Sequence, residues 1–251
     1  MINFSALNWC IKDVETVLFD KDGTIQDLHI YWGEIIKMRS SAFVKDYKLN
    51  SQFFNKICLW MGYDLSKQKL LEFGPVGILS REEIIDILFR KLKNNNITIS
   101  KIEIQNLFEQ VHKDFLNKMD NYVVILPGIK NLMKKLKSRN IKIAIVTSDS
   151  VVNAKKCMSL LKLNSYIDAY IGREQSVLPK ASGVHVKIAL DMLGSTADKS
   201  ICLGDAPMDL IMAAKGGLKA GIGVTLGQTS FQELSKYSNY IIHSYDELNI
   251  R

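Results

Sequence analysis

The sequence predicts an α/β protein whose parallel sheet is covered on both faces and interrupted by a helical insertion. Three observations carry this. From residue 123 onward, short apolar runs alternate with stretches of helical periodicity. Residues 28–122 show helical spacing with almost no strand. Acidic, hydroxyl and lysine residues recur immediately after the apolar runs. Alternating strands and helices imply a parallel sheet, and ligands of such sheets bind outside the carboxyl ends of the strands.

The first run is Thr16-Val17-Leu18-Phe19, followed by Asp20-Lys21-Asp22-Gly23-Thr24. Four β-prone residues, then two acids and a glycine, read as a buried strand entering a turn. Two carboxylates so placed can converge on a metal ion or share acid–base work. Gly23 permits a turn sharp enough to bring backbone N–H groups round to an anion.

Residues 25–30 read as a polar hinge. His29 and Trp32 beside it suit either packing or contact with substrate. A helix with Ile35, Met38, Ala42 and Tyr47 on one face follows, then a short one over 52–61 with Trp60 packing inside the insertion. The stretch Glu72–Ile78 contains two glycines and a proline, so it reads as an exposed loop between helices. Ser80 with Glu83 and Ser100 with Glu103 are capping boxes, each opening an amphipathic helix. Asn94-Asn95-Asn96 separates the two.

Beyond residue 123, Pro127-Gly128 opens a helix, and Ile141–Val146 is a strand followed by Thr147-Ser148-Asp149-Ser150. A short strand at 169–171 precedes Pro179-Lys180. His185 follows on a helix and reads as a packing residue. The strand Ser200–Leu203 leads into Gly204-Asp205 and then Asp209. Ala220–Val224 and Tyr240–Ile242 complete the strands, with Ser230 and Glu233 capping a short helix between them. Singly, each polar residue has an ordinary explanation, such as a helix cap or a solvated lysine. Together Asp20, Asp22, Asp205, Asp209, a hydroxyl cluster and a lysine collect at one sheet edge.

Composition narrows the function. The 251 residues are 47% hydrophobic and 24% charged, as in an ordinary globular protein. Thirty-three basic residues against 26 acidic give +7, which suits an anionic small substrate. The lysines are scattered, without an arginine-rich block, so nucleic acid is not the expected partner. The four cysteines lack paired spacing and read as small buried hydrophobes in a reducing compartment. No signal peptide and no run approaching a membrane span is evident, so the expected location is cytoplasmic, without a membrane partner, as a monomer or homodimer.

In their order, Asp20-Lys21-Asp22-Gly23-Thr24, Thr147, Lys180, Gly204-Asp205 and Asp209 resemble the haloacid dehalogenase-like phosphatases of the phosphoglycolate phosphatase type. The resemblance covers nearly the whole chain. It implies a Rossmann-like three-layer core of residues 1–27 and 123–251 and an α-helical cap of residues 28–122, inserted after the first motif. It implies an Mg²⁺-dependent phosphatase acting on a small phosphorylated metabolite. Asp20 would be the nucleophile and Asp22 the acid–base residue. Thr147, Ser148 and Lys180 would bind phosphate. The Asp20 side chain, the Asp22 backbone carbonyl and Asp205 would hold the metal, with Asp209 in support.

Asp22 separates this pattern from the dehalogenases, which lack a second acid there, and from the P-type pumps, which resemble it with Thr at that place. Lys21 departs from the apolar residue usual in cap-bearing members. A sugar-phosphate mutase would share the same core residues, and a phosphorylatable signalling module is the reading from a different class. Within the cap, Phe73 and Arg81 are the candidate specificity residues, with residues 60–64 as a second candidate stretch.

Overall fold

The computed structural model describes all residues from 1 to 251. It divides into two compact units, one of Met1–Asp27 with Val124–Arg251 and one of Leu28–Val123. The first unit opens with β1 (Ile2–Ala6), β2 (Trp9–Val14) and β3 (Thr16–Phe19). The second holds α1 (Leu28–Asp46), α2 (Gln52–Trp60), β4 (Tyr63–Asp64), β5 (Lys69–Leu70), α3 (Arg81–Lys93) and α4 (Lys101–Leu116). The chain then returns to the first unit through α5 (Ile129–Lys137), β6 (Lys142–Val146), α6 (Val151–Leu160), β7 (Ala169–Ile171) and α7 (Val184–Leu193). It ends with β8 (Ser200–Gly204), α8 (Pro207–Lys215), β9 (Ala220–Val224), α9 (Phe231–Leu234), β10 (Ile241–Ile242) and β11 (Asn249–Ile250).

The main sheet has six strands in the order β10-β9-β8-β3-β6-β7, and every pairing in it is parallel. The expected α/β core is therefore present. Every residue of β3 is buried, as befits a central strand covered on both faces. Its register is level with both neighbours. Thr16 lies opposite Lys142 and Ser200, and Phe19 opposite Ile145 and Leu203. The residues that follow β3, β6 and β8 therefore emerge at one edge. Asp27 N–H donates to the Val124 carbonyl at 2.8 Å, and Leu126 N–H to that of Ile25 at 2.9 Å. The two segments through which the chain leaves and re-enters this unit thus run side by side.

A second sheet, β11-β1-β2, is antiparallel and was not expected from the sequence. Its signal is the alternation Ile2, Phe4, Ala6, all buried, with half-exposed Asn3 and Ser5 between them. Cys10 lies exposed on β2, so only Cys58, Cys157 and Cys202 behave as buried hydrophobes.

The second unit packs α1, α2, α3 and α4 around an apolar cluster that includes Ile36, Phe43, Ile57, Leu88 and Phe108. Both capping boxes form. The deeply buried face of α1 is only in part the one expected, with Ile35 alone of the expected residues fully buried. Met38, Ala42 and Tyr47 only flank the cluster, while Ile35, Ile36, Arg39, Ser40 and Phe43 are buried. Of the two hinge-side residues left open, His29 accepts a hydrogen bond on Nδ1 from Leu70 N–H at 3.1 Å, and Trp32 packs against the cluster. Trp60 packs there too.

Arg39 therefore sits on an apolar stripe, with its guanidinium carbon 3.7 Å from the centre of the Phe108 ring. A desolvated cation–π contact contributes about 2 kcal/mol. The cost of burying an unpaired charge is larger than that.

The loop over 72–78 is less free than a simple connector. Gly62 has a φ of +88°, and a Cβ there would stand 2.5 Å from Gly74 Cα. Val76 N–H donates to the Met61 carbonyl at 3.2 Å, and Val76 is buried while Phe73 is exposed. The backbone is thus pinned and the Phe73 ring presented outward. Gly62→Ala meets both a left-handed φ and a backbone clash, and should destabilise this unit by about 2 kcal/mol or more. Amide hydrogen exchange across 57–76 would report it. A change under about 0.5 kcal/mol, the scatter of ordinary surface substitutions, would mean that the two backbones can separate without loss.

Candidate active site

The strand edge gathers one compact charged group. Asp20, Asp205 and Asp209 each bring a carboxylate oxygen within 4.8 Å of the others, and all three are buried. Asp20 follows β3 directly, and its N–H donates to the Leu203 carbonyl at 2.9 Å. Lys180 is buried beside them. Its Nζ lies 2.6 Å from Asp20 Oδ1 and 2.6 Å from Asp209 Oδ1. Asp209 Oδ2 accepts from Ala206 N–H at 3.0 Å, which ties this acid to the start of α8.

Asp205 is enclosed by backbone. Gln228 N–H donates to its Oδ2 at 3.1 Å, and the Thr24 hydroxyl lies 3.5 Å from its Oδ1. A Cβ on Gly23, whose φ is +84°, would stand 2.4 Å from Asp205 Oδ2, and one on Gly227 would stand 1.9 Å away. Two glycines thus admit the carboxylate. Gly227 and Gln228 were not expected from the sequence, since a glycine after a buried strand carries no signal of its own. Nor was Tyr245, whose hydroxyl donates to the Thr24 carbonyl and steadies the turn after β3.

Electrostatics reflect the crowding. Burial, partly offset by Lys180 and reinforced by Asp209, pushes Asp20 up to about 6. Burial and the neighbouring Asp20 and Asp209 hold Asp205 well above the usual carboxylate range. Burial opposes the Lys180 ammonium, yet Asp20 and Asp209 outweigh it and hold that group above the ordinary lysine value. Three carboxylates against one lysine leave an excess of negative charge in a dry site. Oxygen-only donors with uncompensated charge are the chemistry a hard divalent cation such as Mg²⁺ requires, so the residues present fit such an ion.

The carboxylate of Asp22 does not join this cluster. Lys21, fully buried, reaches it at 2.9 Å and 2.8 Å on its two oxygens, and Gln26 Nε2 donates to it at 2.5 Å. Lys21 also lies 3.2 Å from Asp149 Oδ2. Asp149 in turn accepts from Ser150 N–H at 2.7 Å and from Asn153 Nδ2 at 2.5 Å. Lys21 therefore joins the turn after β3 to the loop after β6. Burial raises Asp22 above the usual carboxylate range despite Lys21.

Thr147 is buried at the end of β6, and its Oγ1 accepts from Asp149 N–H at 3.1 Å. Ser148 is exposed, with its hydroxyl 3.9 Å from Met208 Sδ. His185 is buried. Phe73 and Arg81 belong to the other unit, Phe73 exposed in the pinned loop and Arg81 at the first position of α3.

A family model described as haloacid dehalogenase-like hydrolase matches residues 14–217. The chain belongs to this family. Curated relatives of the haloacid dehalogenase-like hydrolases include the phosphoglycolate phosphatase of Aquifex aeolicus, 23% identical, with 84% of this chain and 85% of that protein covered. They also include the pyrophosphatase PpaX of Oceanobacillus iheyensis, 21% identical over 94% and 95% of the two chains. Among solved structures, a β-phosphoglucomutase from Clostridium difficile shares the fold, with a TM-score of 0.63 at 20% identity, covering 94% of this chain and 93% of that one. The protein is an enzyme of this hydrolase family, and none of its helices is long and apolar enough to cross a membrane.

The Lys21 bridge generates a prediction. Lys21→Met leaves Asp22 and Asp149 facing one another without a cation. Because both carboxylates keep some solvent, the loss should fall somewhat below that of a fully buried pair, at about 2–3 kcal/mol. Urea denaturation would measure it. A loss below about 0.5 kcal/mol, within the range of ordinary surface changes, would show that water replaces the lysine.

Proposed function

We propose that this enzyme is a Mg²⁺-dependent phosphatase that hydrolyses a small phosphorylated metabolite, a phosphoglycolate-like monoester, through an aspartyl-phosphate on Asp20. One observation carries the reading. Two acids two residues apart have separate partners, Asp20 with Lys180 and Asp22 with Lys21 and Gln26. One carboxylate is thereby held beside Lys180 in the acidic cluster as a nucleophile, and the other is kept apart for proton transfer.

Phosphate monoesters hydrolyse very slowly in water and need their charge neutralised. Lys180 fixes Asp20 through Oδ1, which leaves the other oxygen to attack phosphorus. As the P–O bond to the leaving group breaks, Asp22 gives its proton to the departing alkoxide. It then takes a proton from the water that cleaves the acyl phosphate, which releases inorganic phosphate and restores Asp20. Thr147, Ser148 and Lys180 are the proposed phosphate contacts. Asp20, the Asp22 carbonyl and Asp205 would hold Mg²⁺, with Asp209 fixing Lys180 beside them. The ion would supply charge neutralisation between carboxylate and phosphate. Phe73 and Arg81 are the proposed specificity residues of the cap. A sugar-phosphate mutase would share this chemistry, since fold does not decide between them. A signalling module would keep its phosphoryl group.

Phosphate release from a panel of monoesters, with and without Mg²⁺, tests the proposal. Release should require the ion and stop in excess EDTA. Asp20→Asn should retain less than about a hundredth of the activity, as when a principal catalytic group is removed. Release undiminished in EDTA, or an Asp20→Asn variant above that level, would overturn the assignment. An isomerised sugar phosphate without phosphate release would establish the mutase, and a stable phosphoprotein without either product the signalling module.

A further inference from the structure

The positive charge of the chain is not spread over the molecule. Residues 124–167 hold nine of its 33 basic residues and one of its 26 acids, so the rest of the chain is close to neutral. That stretch contains α5, β6 and α6 and belongs wholly to the first unit. Its one acid, Asp149, is turned to Lys21, Ser150 and Asn153. Lysines that look scattered along the sequence therefore converge in the fold.

They converge on one face. The chain steps from β3 to β6 and from β6 to β7, in the same direction across the parallel sheet. Right-handed crossovers put the helices of both steps, α5 and α6, on the same side of it, and both helices pack on the turn Asn164–Tyr166. Their apolar residues, such as Leu132 and Leu136 of α5 and Cys157 and Met158 of α6, are buried. The outward side is left to Lys130, Lys134, Lys135, Lys155 and Lys156, all exposed, with no acid on either helix. Lys130, Lys134, Lys135 and Lys155 form no ion pair. Acids stand at the margins, Asp168 with Lys137, Glu174 at the start of α6 and Asp246 beside Gly128. The stretch that carries α7 and α8 on the other side is balanced, with five basic and four acidic residues over 176–219.

Helix stability does not explain the pattern. Cations near a helix C-terminus favour its dipole, which accounts for Lys134 and Lys135, but Lys130 stands in the first turn of α5, where a cation is unfavourable. Two further observations choose a partner. The exposed cations of both helices are lysines, with no arginine fork and no aromatic side chain among them to read or stack on bases. In line with Lys156 on α6, one turn to either side, stand Val152 and Leu160, 78% and 40% exposed. Aliphatic side chains among lysines gain nothing from a nucleic acid backbone. They match an anionic bilayer surface, where lysines meet headgroup phosphates and aliphatic groups enter the acyl boundary.

We propose that the outward face of α5 and α6 binds the surface of an anionic lipid bilayer, with the lysines on the headgroups and Val152 and Leu160 inserted shallowly between them. Such adsorption needs no spanning helix, and it is independent of the chemistry at Asp20.

Co-sedimentation of the whole chain with vesicles tests this. The protein should bind phosphatidylcholine vesicles containing one quarter phosphatidylglycerol, and not vesicles of phosphatidylcholine alone. Binding should weaken as salt rises from about 0.05 to 0.3 M, which shortens the reach of each charge. A lysine near such a surface contributes about fivefold to the partition coefficient. Lys134→Gln with Lys135→Gln should therefore weaken binding roughly 25-fold. Lys187→Gln with Lys215→Gln makes the same change of charge on exposed residues of α7 and α8, and should leave binding within about threefold. Lys130→Gln with Lys155→Gln is the second pair, should the first melt below the wild type. Val152→Ser should weaken vesicle binding at least about threefold without changing retention on heparin, which offers sulfates and no acyl layer.

No binding to the anionic vesicles at low salt would overturn the proposal. Equal losses in the α5 and the α7–α8 double variants would show net charge acting without a face, and would overturn it too. Binding of duplex DNA or RNA with none to vesicles would assign the face to nucleic acid instead. Vesicle binding indifferent to Val152→Ser would overturn the insertion and leave a general polyanion surface.

Discussion

Like charges brought together in a dry place govern this molecule. Three carboxylates within 4.8 Å of one another repel strongly where water cannot screen them. Their position is enforced by elements that cannot easily yield. Asp20 and Asp205 follow the two adjacent strands β3 and β8, whose register is fixed along their length. Asp209 begins a helix. Lys180 is the one cation placed among them, and its contacts with Asp20 and Asp209 hold the cluster together while leaving Asp205 without a charged partner in the protein. The glycines at 23 and 227 follow from the same constraint. Any side chain at either place would occupy the volume of the Asp205 carboxylate.

The turn after β3 solves a second problem. Two acids so close in sequence would share one environment unless something separated them. Gly23 reverses the chain, and Lys21 and Gln26 draw the Asp22 carboxylate away from the cluster. Lys21 also holds Asp149, so the loops after β3 and β6 are tied across the sheet edge by one ammonium. A lysine without solvent exposure at the end of a central strand is thereby explained. Its stem is buried like a hydrophobe, while its head serves two carboxylates. On the proposed mechanism, that separation lets one acid attack while the other exchanges protons.

The sheet and its charged edge were legible because the signals are local. A run such as Thr16–Phe19 followed by Asp-Lys-Asp-Gly needs no distant partner to be read, and parallel topology brings all such runs to one edge. What stayed hidden depends on contacts between distant residues. Gly227 and Gln228 look like any loop until they close on Asp205, and Tyr245 acquires its role only by reaching Thr24. The small antiparallel sheet pairs the two ends of the chain, and its strands are too short to stand out by composition. The face of α1 was misread in part, for a related reason. Ile36, Arg39, Ser40 and Phe43 are spaced as a buried stripe, but an arginine and a serine within it disguise the pattern. Such a break in an apolar stripe is itself informative, since a charge persists there only with a reason.

The central claim is that Asp20 carries the phosphoryl group and Asp22 directs water to it. Rapid-quench mass spectrometry of Asp22→Asn with an activated aryl phosphate tests this most directly, because such a leaving group departs with little need of a proton. The account predicts a phosphorylated protein that accumulates within the first turnover, with the adduct on Asp20. Release of the aryl alcohol at the wild-type rate, with no adduct on the protein, would contradict it.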